Sequence, residues 1–200
     1  STTYDALGLK LGSTAFTGAS AVEVFVGTGG TLDDQGTADE YSDDTIDKSA
    51  GVGFSATLNS LKLVTLKDAG TLPATTDDKS YLGLQIDDLS AELVGIDGLT
   101  FRAYDTDILV SQARDGDAVA TNDPAALDFS TFFDGVTGWT AFDLAAVDGT
   151  KQFAAQGSVA LDAFGVLIAK GSYSVQLGKV TKGSTTYDAL GLKLGSTAFT

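Results

Sequence analysis

Two hundred residues without a cysteine, methionine or histidine exclude disulfide staples, thiolate metal sites and the His- or Cys-based catalytic triads. A formal net charge of −15 makes the chain a poor partner for nucleic acid or anionic lipid, whose charge it shares, and makes divalent cations its natural counterions. Hydrophobic residues form 43% of the sequence, enough for a real core, yet no apolar run approaches the ~18 residues of a membrane span, so no membrane insertion is expected.

The first segment, Ser1 to Thr17, reads STTYDALGLKLGSTAFT and returns unaltered as Ser184 to Thr200, an offset of 183 residues. Seventeen consecutive identities do not arise by chance. Residues 1–183 are therefore expected to be one tandem-repeat unit and residues 184–200 the start of the next identical unit. Usual solenoid repeats span about 20 to 50 residues, so this unit has the size of a whole domain. Asp188 and Lys193 cancel within the overlap. Every further copy adds the same charge, which favours an extended array.

Period-two alternation predicts strands. Leu7, Leu9 and Leu11 alternate with small or polar residues, as do Val22, Val24 and Val26. Phe54, Ala56 and Leu58 continue the pattern, which then shifts by one to Leu61 and Leu63, predicting a bulge or tight turn at Asn59-Ser60. Three hairpins follow. Ile96-Asp97-Gly98 forms a three-residue loop that pairs Leu93 with Phe101 and Ala91 with Ala103, with Gly98 left-handed. Asp148-Gly149 pairs Leu144 with Phe153 and Phe142 with Ala155. Lys170-Gly171 pairs Ile168 with Tyr173, Val166 with Val175 and Phe164 with Leu177. Asn122-Asp123-Pro124 predicts a capped helix over Ala125 to Phe133, ended by Gly135, with Trp139 packing near it. The expected core is Phe54, Leu84, Leu93, Phe101, Phe129, Phe164, Val166, Ile168, Tyr173 and Val175. Between copies, residues 178–183 contain no Pro- or Ser-rich linker, and the strand-like Tyr187 to Leu194 starts almost at once. Copies are expected to be stacked or tightly abutted rather than flexibly strung.

The densest acidic stretch is Thr31 to Lys48. Calcium takes six to eight oxygen ligands from flexible carboxylate loops. The candidate ligands are Asp33, Asp34, Asp39, Glu40, Asp43 and Asp44 in that stretch, with Asp105, Asp107, Asp115 and Asp117 further on. No EF-hand spacing is present, and solvated acidic loops are the commoner outcome. For catalysis, a paired-carboxylate glycosidase is formally possible, but the Asp clusters lie in Gly- and Thr-rich loops, and a Ser-Lys dyad has no sequence signature here. No enzyme is expected, and no cofactor other than calcium.

Four stretches resemble repeats of very large bacterial surface proteins of the adhesin or haemagglutinin-like kind. They are Ser80-Tyr81-Leu82-Gly83-Leu84, residues 93–99 (LVGIDGL), Leu127-Asp128-Phe129, and residues 157–165 (GSVALDAFG). The resemblance implies a secreted, β-rich tandem array used in surface attachment or as a filament, and it carries over no catalytic residues. The unit lacks the Asp-Gly-Asp-Gly loop of some relatives after Phe129 and keeps only Asp134-Gly135. The expected fold is all-β, elongated and mostly antiparallel, with one short helix, in a stacked or solenoid-like array; tandem β-sandwich domains are the alternative. The expected partners are neighbouring copies of the same repeat, self-associating into a fibre at the cell surface. An adhesin stalk or binding module is the alternative role.

Overall fold

The computed structural model describes residues 3–12, 22–41, 43–68, 77–117 and 123–195. In chain order the elements are β1 (Asp5–Gly12), β2 (Val22–Thr28), β3 (Thr31–Asp33), β4 (Thr45–Asp47), β5 (Val52–Leu58), β6 (Ser60–Asp68), β7 (Lys79–Val94), β8 (Leu99–Asp115), α1 (Phe129–Phe132), β9 (Lys151–Ala163), β10 (Leu167–Lys182) and β11 (Thr185–Leu194). The fold is all-β and its ladders are antiparallel, as the alternation predicts. Nine strands form one open sheet, ordered β1-β6-β7-β8-β9-β10-β11, with β5 beside the upper part of β7 and β2 outside β5; β3 and β4 form a separate two-stranded ribbon. β5 and β6 lie end to end along β7, with Thr57 opposite Ser90 and Ser60 opposite Asp87.

The shift predicted at Asn59-Ser60 is the break between β5 and β6. It has counterparts in the next two strands. Asp88 and Asp105 have φ of +54° and +51°, where the registers of β7 and β8 slip. An extra residue in each strand switches the alternation, so leucines above and below the break stay on one face.

Cross-strand partners share a face of the sheet, so the registers trace rows across it. One row is Leu9, Leu63, Leu84, Val110, Phe153, Leu177 and Leu190. Among the described residues this apolar face carries no covering layer. Its members are half-buried or exposed, with Leu9 at 45% and Leu190 at 73%. The opposite face holds the core. There residues 123–150 fold back over β6, β7 and β8 as a cap. Val64, Leu66, Tyr81, Phe129, Phe133, Leu144 and Val147 form the buried cluster. Gly83 lets the cap approach: a Cβ there would lie 2.5 Å from Leu144 Cδ1 and 2.9 Å from Phe129 Cδ2. Lys62 Nζ donates to the Asp143 carbonyl (2.8 Å), and Ser111 Oγ donates to the Leu127 carbonyl (3.3 Å), tying the cap to the sheet.

This arrangement corrects several sequence expectations. Of the ten expected core residues only Phe129 is buried. Leu84, Leu93, Tyr173 and Val175 are half-buried, and Phe54, Phe101, Phe164, Val166 and Ile168 are exposed. The leucine-rich alternation marks a real face, but the cap covers the other one. The first hairpin keeps its register, with Ala91 opposite Ala103 and Gly98 at φ +77°. The second does not form. Leu144 is buried in the cap and Phe142 ends a 3-10 turn, Thr140–Phe142, while Phe153 pairs with Leu177 and Val110. The third turns at Phe164-Gly165, both with positive φ. Lys170 and Gly171 lie within β10, opposite Ala160 and Val159, because the longer register pairs twelve residues of β9 rather than three apolar pairs. The helix is one turn, shorter than expected. Asp128 has extended backbone, and its carboxylate accepts from Ser130 N, so the cap falls six residues beyond Asn122, which itself lies outside the described residues. Trp139 does pack there, stacked on Phe133 at 5.4 Å.

Candidate functional site: the two sheet edges

The repeated segment forms a strand in both of its copies. As β1 it pairs with β6, Leu9 opposite Leu63. As β11 it pairs with β10, Leu190 opposite Leu177. These strands end the sheet's main path on opposite sides. The connection into the second copy is short: β10 runs to Lys182, turns through Gly183-Ser184, and enters β11 at Thr185. The remainders of the two copies, residues 13–17 and 196–200, lie outside the described residues.

The two copies have different surroundings. In β1, Gly8 lies under the Phe142 ring; a Cβ there would sit 2.7 Å from Phe142 Cδ1. Just before β1, Tyr4 meets Phe132 edge-on at 5.6 Å and Tyr81 at 6.1 Å. In β11 the counterpart Gly191 has open space, its nearest neighbour being Gln176 O at 3.9 Å, and the counterpart Tyr187 is 56% exposed. Tyr4 and Gly8 were not singled out from sequence. The signal was present in the Leu-Gly-Leu spacing, where a glycine between leucines marks a close approach on the face the leucines do not use.

The acidic residues proposed as calcium ligands are dispersed. Asp33 Oδ1 accepts from Gln35 N (2.9 Å), Asp34 Oδ1 from Gly36 N (3.0 Å), and Asp43 Oδ2 from Thr37 Oγ1 (2.7 Å), so these carboxylates shape the ribbon turn. Asp39, Glu40 and Asp44 lie in the same connection between β3 and β4. Asp105 is the β8 bulge residue. Asp107 accepts from Asp88 N (3.2 Å) and Gln156 Nε2 (3.3 Å), which holds β7 and β9 to the bulge. Asp115 Oδ1 accepts from Asp117 N (3.2 Å) at the end of β8. Burial raises the Asp115 carboxyl above the usual range, and the nearby charges of Asp117 and Asp123 push the same way against the Asp117 backbone hydrogen bond. Among the described residues, no three acidic side chains gather closely enough to hold a metal ion.

No protein-family model matches the chain, and neither the curated proteins nor the solved structures contain a match.

Proposed function

We propose that this chain is a structural repeat unit of a very large bacterial cell-surface protein, and that its copies build a long extracellular fibre or filament. The observation that carries the reading is the fate of the repeated segment: identical sequences form the strands at the two ends of the main path of one open sheet. Sheet edges are otherwise liabilities that proteins shorten, charge or cover, and here both present a leucine-rich strand. A net charge of −15 in each unit keeps an array extended and soluble. An adhesin stalk, with its binding tip elsewhere, uses the same architecture. Negative-stain microscopy of a chain of several units tests the proposal. Uniform multi-chain fibres are expected; single extended rods favour the stalk, and compact isolated particles overturn both.

Calcium stabilisation is a second, separable proposal. It is favoured by Asp43 Oδ1 and Asp44 Oδ1, which are out of solvent without a hydrogen-bond partner. Extracellular calcium modules bind at about 10⁻⁴ to 10⁻³ M. Bound at ten times its dissociation constant, the ion adds about 1.4 kcal/mol. A higher melting temperature in millimolar calcium than in chelator is the expected result; superimposable melts and a flat calorimetric titration remove the idea.

A further inference from the structure

We infer that the repeated strand is shared: in an array, one copy closes the sheet of the unit before it and opens the sheet of the unit after it, so the sheet runs unbroken from unit to unit. The inference rests on the tandem-repeat reading above and adds which surfaces meet.

Three observations carry it. The first is geometric. Every ladder between β1 and β11 is antiparallel and there are six steps between them, so the two strands run in the same direction. They also turn the same side chains to the same face. The row from Lys10 passes through Lys62, Gln85, Leu109, Ala154 and Gln176 to Gly191, the counterpart of Gly8, which shares its face with Lys10. Two strands with the same direction and facing, at opposite ends of one sheet, necessarily bond through opposite edges. β1 uses the edge that β11 leaves free, and the reverse. A single strand can therefore satisfy both neighbours at once, with no backbone group used twice.

The second is packing. Gly8 is needed only where the Phe142 ring lies on it, and Gly191 has no such ring above it. The identical sequence at β11 is shaped for a cap that the following unit supplies. Tyr187 stands ready in the same way for the counterparts of Phe132 and Tyr81. The third is continuity of the apolar rows. The row starting at Leu9 ends on Leu190, the counterpart of Leu7, and the row starting at Leu11 ends on Leu192, the counterpart of Leu9. Each row thus passes into the next unit one row displaced. Above β11, residues 167–171 of β10 pair with β9 on one side and, among the described residues, with no strand on the other. This is where the next unit's counterpart of β2 continues the shared column. Six inter-strand steps of about 4.8 Å give an advance of about 29 Å per unit along the sheet.

The test is amide hydrogen exchange read residue by residue. In β11, Gly195 N donates to Ser172 O, one step past the Tyr173–Leu194 pair, so odd-numbered amides face β10. In the 200-residue chain, Ala189, Gly191 and Lys193 should exchange slowly and Leu190, Leu192 and Leu194 fast. In β1 the pattern reverses: Leu7, Leu9 and Leu11 slow, their even-numbered neighbours fast. In a chain of two complete units, residues 1–183 followed by the present 200, the central copy should be slow at both sets, with the second set slowed on the order of 100-fold. Gly191→Val at the equivalent central position should abolish that added protection while leaving the first unit's own β1 pattern unchanged. A central copy that protects one set only overturns strand sharing. That result leaves the filament reading standing on the micrographs, whereas compact particles with both sets protected would remove the filament and keep the shared strand.

Discussion

Phe129→Ala is expected to lower unfolding stability by about 3–5 kcal/mol, the largest effect of any single truncation considered. Phe129 is 0% exposed. It sits at the centre of the cluster formed by Val64, Leu66, Tyr81 and Leu144, and its ring lies directly on the Gly83 backbone. Removing it leaves a cavity between cap and sheet that neither side can fill, because β6 to β8 are held by their ladders. Against a total of about 5–15 kcal/mol for a domain, much of the native margin goes. Val166→Ala is the matched control. Both residues read as core in the sequence, yet Val166 is 91% exposed at the β9–β10 turn, and its truncation should stay within about 0.5 kcal/mol. Denaturant titrations followed by far-ultraviolet circular dichroism and by Trp139 fluorescence compare the two. Equal losses would mean that Val166 is packed as closely as Phe129 and that the β9–β10 turn is covered rather than exposed.

That pair of residues also explains what the sequence could and could not disclose. Strand identity follows from local alternation, so β1, β2, β11 and the β7–β8 hairpin are legible from residue types alone. The break at Asn59-Ser60 is legible too, because apolar positions shift by one at Leu58 to Leu61, whereas its counterparts at Asp88 and Asp105 emerge only from the registers. The covered face is not legible. β6 reads Leu61, Leu63 on one face and Val64, Leu66 on the other, apolar on both. Which face is buried depends on where residues 123–150 fold back, a long-range event without a local signal. The failed Asp148-Gly149 hairpin has the same cause: Phe142 and Leu144 alternate like strand residues but are held by the cap. For the candidate site, the repeat gave the location of the edges. The complementary use of those edges needed the order of the strands.

The sharpest consequence of that order is that one substitution should have two outcomes in one molecule. Gly8→Val and Gly191→Val change the same residue in the same seventeen-residue sequence. Neither glycine has a left-handed backbone, so valine is conformationally acceptable at both, and its strand propensity slightly favours each change. The difference lies in space alone. At Gly8 the new Cβ meets three Phe142 ring atoms within 3.0 Å. The ring must move, and it carries Trp139 with it, at 5.3 Å. Overpacking of this kind costs about 1–3 kcal/mol. At Gly191 nothing lies closer than 3.9 Å, and stability should be unchanged or higher by a few tenths of a kcal/mol. Thermal melts of the two variants of the 200-residue chain decide it. Equal destabilisation would mean that both copies are covered alike, and that the open edge at β11 is not where a following unit's cap belongs. A large loss at Gly8 with none at Gly191 establishes that the repeat sequence is constrained by a neighbour that only one of its copies touches.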